Sequence, residues 1–146
     1  MKYGILGTTG LKVSLIGFGG IPIQRCSKEE ALATISRAQE LGVNFIDTAR
    51  GYSVSESYIG EALKGKRDKW IIATKSMARD MNSMEKDIET SLRNLKTDYI
   101  DLYQLHNVRT EEELNYVLSE EGALSSLERA KEKGIIGHIG ITSHSM

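Results

Sequence analysis

Residues 15–25 read Leu15-Ile16-Gly17-Phe18-Gly19-Gly20-Ile21-Pro22-Ile23-Gln24-Arg25, and the residues after the glycines decide the fold. The apolar residues up to Gly20 predict a short strand. A doubly wound dinucleotide-binding sheet would need G-x-G-x-x-G running straight into a helix, whose first amides meet a pyrophosphate. Here Ile21-Pro22-Ile23-Gln24-Arg25 comes instead. The next helix signal is Ser27, with Glu30 three residues on as a capping box. The fingerprint fails, and the expectation becomes the other α/β architecture, a (β/α)8 TIM-type barrel, whose functional residues gather at the C-terminal ends of its strands.

The strand-then-helix pattern repeats outward from this stretch. Ala31, Ile35 and Ala38 fall at helical spacing, and Gly42 is the expected stop. Val43 to Asp47 predicts a second strand, followed by a helix from about Ser55 to Leu63. Trp70 to Lys75 predicts a third strand. Its helix carries Ile88, Leu92 and Leu95 on one face, with Asn82 or Ser83 expected as the cap. Tyr99 to His106 is the fourth strand, and Leu124, Leu127 and Ala130 mark the next helical face. Ile139-Gly140-Ile141 begins a fifth strand. Ahead of the first unit, Gly7-Thr8-Thr9-Gly10 between two short apolar stretches predicts a hairpin over residues 1–14. No linker or like-charge block divides residues 15–146, so 1–146 is expected to be one partial barrel domain of about four βα units and a fifth strand.

Composition excludes several classes. The 146 residues carry 19 Lys and Arg against 20 Asp and Glu, a net charge of −1, without the basic excess on which phosphate-backbone binding draws. Nucleic acid is therefore not an expected partner. No apolar run approaches the ~20 residues of a membrane span. One cysteine, Cys26, can form neither an internal disulfide nor a cysteine cluster, which fits a reducing cytoplasm.

Three ionisable residues mark the strand ends. Asp47, Lys75 and His106 are separated by 75 − 47 = 28 and 106 − 75 = 31 residues, one βα unit each time. They should therefore converge on one rim. Tyr52 lies just beyond the second strand, on a loop able to fold back over that rim. Taken singly, Asp47 and Lys75 read as a structural ion pair, Tyr52 as a loop tyrosine and His106 as a satisfied core histidine. Together, at corresponding positions, they read as a site.

The words around these residues resemble the aldo-keto reductase family. Asn44-Phe45-Ile46-Asp47-Thr48-Ala49 with Gly51-Tyr52 is similar to its aspartate-tyrosine motif, Ile72-Ala73-Thr74-Lys75 to its lysine strand, and Asp98 to His106 to its histidine strand. Gly4 to Gly20 resembles its N-terminal hairpin and first strand. The resemblance implies NADPH-dependent reduction of an aldehyde or ketone, a small carbonyl substrate. It makes Tyr52 the general acid, has Lys75 and Asp47 tune it, and has His106 orient the carbonyl. It also implies that Gly20, Ile21, Asp47 and Ser143 meet the cofactor, with His144 standing where the family usually has Asn. A nearby ammonium favours a phenolate, so Lys75 is expected to lower the Tyr52 pKa.

Residues 19–25 together with 103–108 are similar to a subgroup with a ferredoxin-like C-terminal extension. Cys26 alone cannot ligate a cluster, and no metal is assigned. His138 is expected at the opposite end of the barrel from His106, which argues against a shared histidine site. Met77, Met81 and Met84 read as packing residues, and Thr110 to Glu121 as a solvated loop or short helix. A complete barrel needs about 250 residues, so the sequence covers the catalytic half. The alternative function is a non-catalytic half-barrel acting through self-association, and exposed barrel edges predict a homo-oligomer.

Overall fold

The computed structural model describes residues 1–144. Two short strands, β1 (Tyr3–Ile5) and β2 (Lys12–Ser14), form the expected antiparallel hairpin. Gly7 and Gly10 turn it at φ of 53° and 75°, in the left-handed region that L side chains enter at a cost. Asn44 fastens the hairpin across the N-terminal end of the sheet. Its Oδ1 accepts from the Ser14 amide at 2.7 Å, and its Nδ2 donates to the Lys12 carbonyl at 2.9 Å.

The main sheet has five parallel strands: β3 (Phe18–Gly19), β4 (Phe45–Asp47), β5 (Ile71–Ser76), β6 (Ile100–Leu105) and β7 (Ile136–Ile141), paired in chain order. The crossovers carry α1 (Lys28–Glu40), α2 (Ser55–Ala62), α3 (Met81–Leu95), α4 (Glu111–Val117) and α5 (Ala123–Glu132). Strands in chain order, each returned by a helix, are the consecutive units of a βα barrel. Side chains alternate across the sheet. Ile46, Ile72, Tyr103 and Leu105 turn outward into a core with Ile35, Ile59, Met84, Ile88, Leu95 and Leu127 of the helices. On the inner face, Phe45, Ile71, Leu102, Gln104 and His138 are only half-buried.

Local signals explain most helix ends. Ser27 and Glu30 make both halves of the capping box at the start of α1. The α3 cap differs from the expected Asn82 or Ser83: Asp80 caps it, accepting from the Ser83 amide at 2.9 Å. Asp80 supplies the carboxylate three residues ahead of an orphan amide, where an N-cap must stand. The polar segment after β6 forms the short helix α4. Of the three methionines read as packing residues, Met84 is fully buried, whereas Met77 is exposed.

The first strand is shorter than its apolar sequence predicts. Only Phe18 and Gly19 pair, against Ile46 and Asp47, while Leu15 and Ile16 are each 66% exposed. Two local bonds hold that stretch to the hairpin instead, from the Leu15 amide to the Lys2 carbonyl and from Ser14 Oγ to the Ile16 carbonyl. The fifth strand, by contrast, starts earlier than expected, at Ile136.

Gly60 lets α2 and α3 meet. A Cβ there would run into the Asn94 carbonyl and the backbone of Leu95. We expect Gly60→Ala to destabilise the fold by about 1–3 kcal/mol through overpacking. Urea denaturation checks this, with a lowered midpoint at unchanged m-value as the expected result.

Candidate active site

Asp47 closes β4, Lys75 is the penultimate residue of β5, and His106 comes directly after β6. The ladder continues past the strand ends and carries the loop with it. The Thr48 amide donates to the Ala73 carbonyl at 2.9 Å and the Arg50 amide to the Lys75 carbonyl at 2.8 Å. Beyond them the chain turns, with the Tyr52 amide on the Ala49 carbonyl and Ser53 at φ 47°. This brings Tyr52 back over the rim. Its ring meets that of His106 edge-on, with centroids 5.9 Å apart and planes at 84°.

Lys75 is 5% exposed. Its Nζ donates to Asp47 Oδ2 at 2.5 Å and to the Thr48 carbonyl at 2.7 Å, and it lies 5.2 Å from the Tyr52 ring centroid. That is within cation–π range. The Asp47 side chain stays 41% exposed beside it. The four residues expected at one rim are thus brought together there.

The electrostatics differ from expectation at Tyr52. Its pKa is raised, first by burial and then by the Asp47 carboxylate, where the Lys75 ammonium was expected to lower it. Lys75 directs its hydrogen bonds to Asp47 and Thr48, and a partly buried phenolate beside a carboxylate is disfavoured. The phenol therefore stays protonated through neutral pH. His106 shifts the other way: burial and then Lys75 lower its pKa, with His144 and Arg79 acting in the same direction and Asp47 opposing. Its Nδ1 is buried and finds no hydrogen-bond partner among the described residues.

The residues expected to meet a cofactor are placed unequally. Ile21 is exposed at the end of β3. Gly20 is buried, with its amide on the Asp47 carbonyl and its carbonyl accepting from Ser55 Oγ, both at 2.7 Å. A Cβ there would lie 2.7 Å from Ser55 Oγ. Ser143 and His144 come after β7 on the same rim and are exposed. His138 lies within β7 opposite Leu102, four residues below His106 in register. A cavity of about 770 Å³ lies at the opposite end of the strands, where Lys12, Asn44, Lys69 and Tyr99 line it.

Sequence reasoning missed the groups behind the site. The most prominent is Glu56 on α2, 1% exposed and bonded by Thr74, Ser91, Asn94 and Arg50. Its signal was present: a carboxylate on the stripe Ser55, Glu56, Ile59, Gly60 that α2 buries. A charge on a buried stripe needs partners.

The sequence model of the aldo/keto reductase family matches residues 15–146. The chain is 34% identical to L-galactose dehydrogenase of Arabidopsis thaliana, over 94% of its own length and 47% of that protein's. It is 35% identical to methylglyoxal reductase DkgA of Yersinia pestis, over 84% of its length and 43% of that protein's. An aldo-keto reductase of Bacillus halodurans in its holo form superimposes with a TM-score of 0.86 at 34% identity, covering 99% of this chain and 51% of that one. One from Klebsiella pneumoniae in complex with NADPH gives 0.77 at 27% identity, covering 89% and 45%. The chain spans about half the length of these relatives.

The lowered His106 pKa has a direct test. We expect its NMR titration midpoint below the ordinary value of about 6.5, and Lys75→Met to move it upward by removing one cause. The unfolded chain takes up this proton first as pH falls. The stability linked to His106 is therefore complete above about 6.5 and declines as pH drops from there through the depressed folded-state value.

Proposed function

Because the chain belongs to the aldo/keto reductase family, we propose that it carries the catalytic part of an NADPH-dependent reductase that converts a small aldehyde or ketone to an alcohol. The observation that carries this reading is Tyr52 folded back over the rim, with the Lys75 ammonium near its ring on one side and His106 edge-on to it on another. NADPH, when bound, supplies the hydride to the carbonyl carbon.

The chain's own residues handle the proton. Tyr52, held protonated by its surroundings, gives the Oη proton to the carbonyl oxygen as negative charge builds there, completing the alcohol. Lys75, whose ammonium lies 5.2 Å from the ring centroid, is the cation at hand for the phenolate left behind. Asp47 and the Thr48 carbonyl hold that ammonium in place. His106, kept neutral by burial and Lys75, donates a hydrogen bond that orients the carbonyl. Asp47 is open enough to accept from a ribose hydroxyl, and the same reading assigns Ile21, after β3, and Ser143, after β7, to the nicotinamide end, with the Gly20 amide on the Asp47 carbonyl. Arg50 and Arg79, at this end of the strands, are engaged with Glu56, Asp87 and Glu113. A reducing compartment is a separate part of the proposal, supported by the single cysteine, Cys26.

A second property arises from the edges. Among the described residues, β3 and β7 each have one neighbour in the sheet, and Leu15, Ile16, Leu41 and Ile141 are all more than half exposed. We propose that residues 1–146, prepared as such, associate through these edges, where strand pairing and apolar burial act together.

In a polypeptide with carbonyl reductase activity that contains this segment, Tyr52→Phe should lower turnover by about 10²–10⁴-fold, the span of general acid catalysis. NADPH absorbance with a panel of small aldehydes and ketones measures it, and near-wild-type turnover would remove Tyr52 from the acid role. Light scattering of residues 1–146 across a dilution series should show mass falling with concentration. A stable monomer at micromolar concentration would refute the association.

A further inference from the structure

Lys75 is held from behind as well as from the front. Thr74 and Ser76, its neighbours in β5, point to the opposite face of the sheet, toward α2 and α3. Thr74 Oγ1 donates to Glu56 Oε1 at 2.8 Å, and Ser76 Oγ donates to Asp87 Oδ2. Arg50 bridges the two carboxylates, with its guanidinium 3.4 Å from Glu56 and 3.6 Å from Asp87, while its amide donates to the Lys75 carbonyl. Ser91 Oγ at 2.7 Å and Asn94 Nδ2 at 3.1 Å complete the set of donors around Glu56.

We propose that Glu56, acting with Arg50 and Asp87, is a positioning residue for the rim site: it fixes β5 on either side of Lys75 and ties the Tyr52 loop to the same cluster. Three features support this. Glu56 is buried with four donors converging on it, which offsets the desolvation of its charge. Its partners come from α3, from β5 on the side away from the rim, and from the loop between Asp47 and Tyr52. Arg50 belongs both to the cluster, through its side chain, and to the ladder that carries Tyr52, through its amide. Loss of the Glu56 charge leaves the Arg50 side chain with Asp87 alone and loosens the strand that delivers Lys75 to Asp47 and Thr48. Truncating a single member of a buried charge set leaves the others unpaired, so the effect extends beyond one bond.

This inference deepens the reductase reading at the same site, but its test needs neither cofactor nor substrate, so either can fail without the other. The readout is the NMR titration of His106, whose midpoint Lys75 helps to depress. Glu56→Gln, which keeps shape and removes charge, should move the midpoint upward toward that of a free imidazole. Thr74→Val, which removes the hydroxyl at nearly constant volume, should move it the same way. Thr74→Ser should restore the wild-type midpoint. Ile136→Val, a core change at the far end of β7, should lower stability without moving it. Wild-type midpoints in both Glu56→Gln and Thr74→Val would overturn the proposal, as would an equal shift in Ile136→Val. If Glu56→Gln does not fold, the contrast between Thr74→Val and Thr74→Ser decides.

Discussion

The rim of this sheet is organised around a lysine ammonium that is almost out of solvent. Burying such a charge unpaired costs several kcal/mol, so Lys75 requires acceptors close by. Both come from the end of the neighbouring strand, the Asp47 carboxylate and the Thr48 carbonyl. They reach it only in the observed register, with Asp47 opposite Ala73. The same pairing, continued through Thr48 and Arg50, suspends the Tyr52 loop from the lysine strand. The tyrosine is thus placed by backbone bonds that the lysine's partners require.

Period-two alternation lets one strand serve two environments. Lys75 faces the inner side of the sheet, while Thr74 and Ser76 face the helices and are met there by Glu56 and Asp87. The layer between sheet and helices also holds the apolar core. It accommodates a carboxylate because every direction around Glu56 offers a donor, from Thr74, Ser91, Asn94 and Arg50. Tyr103, whose hydroxyl lies 3.2 Å from Ser91 Oγ, joins this layer, and burial raises its pKa well above that of a free phenol. The four donors on Glu56 fix the relative placement of α2, α3 and β5 more sharply than apolar packing alone.

At the rim, burial acts oppositely on the two titrating rings, because each loses solvation of its charged form. The phenol is kept as a proton donor and the imidazole is kept neutral. Both therefore enter neutral pH as uncharged hydrogen-bonding groups beside one ion pair. Such a rim suits a carbonyl whose oxygen gains charge only as the reaction proceeds.

Features whose information is local or periodic were legible in the chain before folding. The Ser27–Glu30 box, the hairpin glycines and the recurrence of Asp47, Lys75 and His106 one βα unit apart depend on short spacings and strand alternation, so they could be read directly. Other features exist only in the folded chain. Leu15 and Ile16 have strand-like sequence, yet pairing also needs a neighbour in register, and their polar groups are taken by the hairpin. Glu56 is not singled out by the sequence, because three of its four partners lie 18, 35 and 38 residues away. The direction of the Tyr52 shift could not be read from composition either. A through-space interaction depends on distance and on the water removed, and only the folded chain sets how far Asp47, Lys75 and solvent stand from that phenol.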